Sequence, residues 1–179
     1  MSGTTIGSYA PDFELPGADG SVHHLARYLE QYKAVGVVFM CNHCPYVKLY
    51  LARLQQIQAE FAPQGFTLIG INPNDAVQFP EDSYDNMKTF AQTQGLTFPY
   101  LRDETQDVAH TFGAKKTPHV FLLNPQGILV YSGGIDDNAQ DPTAVKNSTF
   151  RTAIAQVLAG EAITAAATEP VGCSVKWRM

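Results

Sequence analysis

The sequence predicts an α/β fold with helices on both faces of a central sheet. Three observations predict it. A short, continuous apolar run, "AVGVVFM" at 34–40, is followed by apolar residues at helical spacing. The same strand-then-helix order returns with "FTLIGIN" at 66–72 and the segment after it. Near the end the pattern changes, and "HVFLLN" and "ILVYSG" flank the tight turn "PQG" as a β-hairpin. The 179 residues suffice for one domain, 1–179, with a full core, and 45% hydrophobic with 16% charged residues is an ordinary globular composition.

The elements follow in order. "YAPDFEL" and "PGADGSVHHL" read as an extended opening and a Gly-rich turn, with a short helix near 24–29. The run at 34–40 is too short for a helix, and its unbroken apolarity suits a strand buried on both faces. Val47, Tyr50, Leu51, Leu54, Ile57 and Phe61 then define one face of an amphipathic helix over about 44–62, ended by "APQG". After the strand at 66–72 comes "PNDAVQFPEDS", long and polar for a connection, as functional loops often are. Ser83 is placed to cap a helix running to about residue 94. "FPYL" is a short strand, "TQDVAHTFGA" a short helix, and 148–159 a last helix. In the tail Val171, Cys173, Val175 and Trp177 alternate with Gly172, Ser174, Lys176 and Arg178. A period of two predicts an extended segment with one face against the body.

Chemistry concentrates in "FMCNHCPYV". Cys41 follows the buried strand at the start of the predicted helix, and Pro45 suits a first helical turn. Free amides and the helix dipole there favour a thiolate, which predicts a lowered pKa for Cys41. Cys44 lies one turn on, close enough for a disulfide. Cys41 is then the exposed nucleophile and Cys44 the resolving thiol, with Asn42 and His43 tuning the pair electrostatically. A structural zinc site commonly needs four ligands. Cys173 is the only further cysteine and no closely spaced histidine pair follows, so no metal and no cofactor are expected. The expected role of Cys173 is packing on the apolar face of the tail, outside disulfide range of Cys41 and Cys44 in the resting fold. The alternative is a third redox thiol.

These motifs together resemble the thioredoxin-fold superfamily, and within it the peroxiredoxin-like AhpC/TSA-type proteins with a CxxC pair. "APDFELPGADG" resembles their opening segment and "CNHCPYV" their redox motif, and "FPYLRDETQDVAHTFGAKKTPHVFLLNPQGILVYSG" is similar to their C-terminal half. "GCSVKW" resembles the ending of one subgroup. The resemblance implies a thioredoxin-like fold with a central mixed β-sheet flanked by helices. It implies a cis peptide at Pro118, beside the cysteines, and a backbone at Thr117 that pairs with substrate.

The sequence departs from both relatives. With Cys44 in the peroxidatic place, Cys41 stands where peroxiredoxins have Thr or Ser, and Val37 where they have Pro. No arginine lies between Arg102 and Arg151 to bind peroxide. Met40 replaces the tryptophan of thioredoxins, and Val35 or Gly36 their buried acid. Asp75, Asp82 and His119 are candidates for a replacement proton carrier.

The expected activity is thiol–disulfide exchange on protein or small-molecule disulfides, coupled to an unidentified reductant. The alternatives are a thiol peroxidase using Cys44 and a copper or zinc carrier using Cys41, Cys44 and a histidine. The net charge of −5, without a basic cluster, argues against nucleic acid. No apolar run approaches the roughly 18 residues of a membrane span. "MSGTTIGSYAPDF" has neither a basic nor an apolar stretch of a secretory signal, so a cytoplasmic location is expected.

Overall fold

The computed structural model describes residues 3–179. At its centre is β3, Ala34–Phe39, buried along its whole length. It pairs in parallel with β4, Phe66–Asn72, and antiparallel with β7, His119–Leu123. β5, Tyr100–Arg102, extends the sheet beyond β4, and β8, Leu129–Gly133, beyond β7, giving the order β5-β4-β3-β7-β8. The sheet is therefore mixed, as expected. β5 starts two residues into "FPYL" because Pro99 has no N–H to give a ladder.

Both faces of β3 are covered, which is why its sequence is apolar without alternation. Val38 packs with Val47, Tyr50 and Leu54 from α2, Pro45–Phe61, and with Phe150 and Ile154 from α5, Thr149–Leu158. Val35, Val37 and Phe39 face the other way, with Leu25 of α1, Leu25–Gln31, and Phe112 of α4, Asp107–Phe112. Gly36 is small for a reason: a Cβ there would lie 3.0 Å from the Phe150 ring.

Ser83 caps α3, Tyr84–Thr93, accepting the Asn86 N–H at 3.2 Å. Two short pairs lie outside the main sheet. β1, Glu14–Pro16, pairs with β2, Val22–His24. β6, Lys116–Thr117, pairs antiparallel with β9, Cys173–Ser174, in the tail. The tail's alternation holds in part. Val175 is buried while Cys173 and Trp177 are half-buried, and Val171 faces solvent.

No helix among the described residues is long and apolar enough to cross a membrane.

Candidate active site

β3 delivers the CNHC loop to one end of the sheet. Met40 still donates to the Ile71 carbonyl at 2.9 Å, so the chain leaves the sheet only at Cys41. Cys44 is the N-cap of α2 and Pro45 its first residue. The helix start expected for Cys41 thus belongs to Cys44, three residues later.

Facing the loop is the turn at 117–118, where the Thr117–Pro118 peptide is cis, as the resemblance implied. Thr117 is fully buried and touches both cysteines of the loop. Its hydroxyl lies 3.6 Å from Cys41 Sγ and its carbonyl oxygen 3.3 Å from Cys44 Sγ.

Cys44 is bonded to Cys173, across a Cα–Cα distance of 6.4 Å. Cys41 is the free thiol. This corrects the expectation that Cys173 lies out of range of both cysteines. The physical reason is the β6–β9 ladder. It sets Cys173 directly opposite Thr117, and Thr117 already touches Cys44. As a disulfide sulfur Cys44 Sγ carries no proton, so its approach to the Thr117 carbonyl is a contact and not a donated hydrogen bond.

The expectation of an exposed Cys41 with a lowered pKa is also corrected. Both cysteines are 1% exposed. Burial pushes the Cys41 thiol up, and the Asp82 carboxylate pushes it further. The Thr117 hydroxyl and the amides of Cys44 and His43 act in the opposite direction without prevailing.

Asp82 belongs to the polar loop after β4. It ends a 3₁₀ turn, Pro80–Asp82, and is fully buried. Its Oδ1 accepts the Asn42 amide at 2.7 Å and the Asn72 side chain at 3.3 Å, and its Oδ2 accepts the Asn74 side chain at 3.0 Å. His43 Nδ1 lies 2.6 Å from Oδ2, a close approach without hydrogen-bond geometry. The His43 ring stacks on Phe79 at 5.9 Å. Asn42 Oδ1 accepts the Tyr100 hydroxyl at 2.7 Å, and burial, with Cys41 and Asp82 nearby, holds that phenol well above its usual pKa. Asn42 and His43 thus act as struts between the loop and Asp82.

Of the three candidate proton carriers, Asp82 alone joins the cysteines. Ligand atoms of Cys41, His43 and Asp82 lie within 4.8 Å of one another. That spacing is compatible with a metal ion, but three amide donors already hold Asp82, two on Oδ1 and one on Oδ2, which leaves Oδ2 room to accept once more. Asp75 instead binds Val77 and Gln78. His119 accepts the Lys115 N–H at Nδ1 and approaches Ser132 with Nε2, 3.4 Å away. Burial, aided by Lys115, lowers its pKa to about 4, so it is neutral at physiological pH.

The AhpC/TSA family profile matches residues 6–132, most of the chain. The chain belongs to the AhpC/TSA family. The matched segment holds the CNHC loop, Asp82 and Pro118 and leaves the tail cysteine outside. A solved structure of a hypothetical protein from Sinorhizobium meliloti 1021 is 35% identical, with a TM-score of 0.91, covering 98% of this chain and 96% of that one. A candidate peroxiredoxin of Mycobacterium tuberculosis strain H37Rv is 27% identical over 80% of this chain and 85% of its own. The thiol-disulfide oxidoreductase ResA of Halalkalibacterium halodurans is 28% identical over 73% of this chain and 70% of its own. A thioredoxin-family thiol:disulfide interchange protein from Chlorobium tepidum TLS shares the fold at 24% identity and a TM-score of 0.60, over 72% of this chain and 86% of that one.

Proposed function

We propose that this chain is a thiol–disulfide oxidoreductase in which Cys41, Cys44 and Cys173 form one exchanging set. A single observation carries the reading. Cys44 is bonded to Cys173 while the free thiol of Cys41 touches the same Thr117. Cys44 is the shared partner of two thiols, and each can displace the other from it. Cys41 attacks, Asp82 with His43 takes its proton, and Asn42 holds the loop against Asp82. Thr117 and Pro118 shape the seat for the third sulfur. The substrates are protein or small-molecule disulfides, with a dithiol reductant closing the cycle. Nucleic acid, membrane and cofactor have no part in this reading. It includes the cytoplasmic location expected from the sequence, where reductants keep thiols open.

Reduction of insulin or glutathione disulfide tests it. Turnover should need Cys44 absolutely and fall sharply with Cys41→Ser. Full turnover by Cys44→Ser would remove the reading.

One observation favours a second reading. A helix-capping cysteine bonded to a tail cysteine also suits a peroxidase, with Cys44 oxidised to sulfenic acid and resolved by Cys173. Against efficiency, Arg53 on α2 is committed to Asp136 and the Asn138 and Ala139 carbonyls. Slow peroxide consumption beside fast disulfide exchange distinguishes the first reading from the second.

A further inference from the structure

We propose that the β6 edge is a seat for an extended protein segment carrying glycine directly before its cysteine, and that the chain's own tail holds this seat until an internal exchange releases it. The proposal rests on the exchange chemistry above and adds the substrate class.

β6 and β9 form a two-stranded sheet of their own, so the tail alone covers this edge among the described residues. An edge of free N–H and C=O groups accepts an added strand, and side-chain fit along the strand then selects the partner. The register here is specific. Lys116 faces Ser174 and Thr117 faces Cys173, and Val175 N–H extends the ladder to the Lys115 carbonyl at 3.2 Å. A cysteine in this register is delivered to Cys44.

The position before the cysteine is the most restrictive. A Cβ on Gly172 would collide with the Thr117 carbonyl, coming 2.7 Å from its carbon and 3.1 Å from Pro118 N. These are backbone atoms of the turn and cannot swing aside. The position after the cysteine is open, since Ser174 is exposed, and the next, Val175, is 4% exposed and demands an apolar side chain. The seat therefore reads Gly-Cys-any-apolar.

Beyond Val175 the tail is held by reversible contacts. The Lys176 carbonyl accepts from Asp75 N–H at 2.8 Å and Gln106 Nε2 at 2.9 Å, and Trp177 stacks on His110 at 4.2 Å. Only the disulfide is covalent. In the exchange Cys41 sulfur attacks Cys44. The Cys41–Cys44 bond forms and the Cys44–Cys173 bond breaks. The electron pair leaves on Cys173, which takes the proton lost by Cys41. Electrons balance within the chain and no outside oxidant is needed.

The test uses the full-length chain, reduced and carrying Cys173→Ser so that its tail offers no thiol. It is mixed with the heptapeptide of residues 171–177 as its thionitrobenzoate mixed disulfide, with the same peptide bearing alanine for glycine, and with Ellman's reagent. Cys44 releases thionitrobenzoate from each peptide, and Cys41 then frees the peptide thiol. The glycine peptide should react about tenfold faster or more than the alanine peptide, because overpacking against fixed backbone is costly. Equal rates for the two peptides, with Ellman's reagent consumed, would overturn the seat and leave the exchange function standing. Failure to consume Ellman's reagent through Cys41 and Cys44 would instead sink the function itself. In the otherwise native chain, Gly172→Ala should shift the mildly oxidised protein from Cys44–Cys173 to Cys41–Cys44, with unchanged circular dichroism. Retention of Cys44–Cys173 as the main species would also overturn the seat.

Discussion

The CNHC loop and the C-terminal tail meet at one sulfur but are held in opposite ways. The loop is strung between β3, buried along its length, and α2, whose apolar face is buried in the same core. Asp82 ties it again from the side. Displacing it would disturb the centre of the sheet. The tail has a two-residue ladder, two further backbone hydrogen bonds, a few from side chains, one aromatic stack and one disulfide. A fixed loop and a removable tail suit exchange at Cys44, because one partner stays in place while the other leaves.

The largest expected effect breaks that covalent link. The disulfide spans a sequence separation of 129. Closing so long a loop predicts a loss of about 5 kcal/mol on reduction or in Cys173→Ser. Urea unfolding of oxidised wild type, reduced wild type and Cys173→Ser measures it. In the two latter forms, hydrogen exchange should also rise over 172–178 while β3 stays protected. Equal loosening of β3 would erase the distinction between loop and tail.

Next in size is His119, which belongs to the fixed side. Its folded pKa is lowered to about 4 from 6.5. Between these values the unfolded chain takes up a proton that the folded chain refuses. Stability should therefore fall as pH drops from 6.5 towards 4, by roughly 2–3 kcal/mol, with no contribution above 6.5. Chemical denaturation of wild type and His119→Asn across this window should show a shallower slope in the variant. The same slope in both would assign the acid sensitivity elsewhere.

Asp82→Asn sharpens the loop's electrostatics. In the oxidised chain Cys41 is the free thiol, and brief alkylation against pH, read on the Cys41 peptide by mass spectrometry, separates it from any Cys173 released by exchange. Removing the carboxylate should lower its pKa and speed labelling near neutral pH, the carboxylate being one cause of the raised value. An upward shift would show that Asp82 stabilises the thiolate through its network.

The smallest effect belongs to Trp177→Ala. Losing the stack on His110 should cost about 0.5–1.5 kcal/mol and loosen only the tail's end. Oxidised protein should keep Cys44–Cys173 by peptide mapping.

The same contrast explains what was legible in the sequence. β3 is legible because burial on both faces leaves a short unbroken apolar run, and α2 because one-sided burial imposes a helical period that Val47, Leu54 and Phe61 obey. Ser83 announced its helix through local cap chemistry. Pro118 in cis came from resemblance. The partner of Cys44 could not be read, because it is set by pairing between strands far apart in the chain. Two signals pointed there, the alternation of the tail and the glycine before Cys173. Asp82 stood among three acid or histidine candidates because loop residues carry no period. Only the turn at Pro80–Asp82, which points it inward beneath Asn42, singles it out. The expected low pKa of Cys41 rests on helix position, whereas burial, which local sequence does not reveal, dominates here.

The most direct measurement is the disulfide map of the mildly oxidised full-length chain, quenched in acid and alkylated before peptide mass spectrometry. A three-thiol exchange centred on Cys44 predicts Cys44–Cys173 with Cys41 alkylated, and a growing share of Cys41–Cys44 with Cys173 alkylated as the quench is delayed at alkaline pH. Cys41–Cys44 as the sole disulfide at every time and pH, with Cys173 always alkylated, would contradict it.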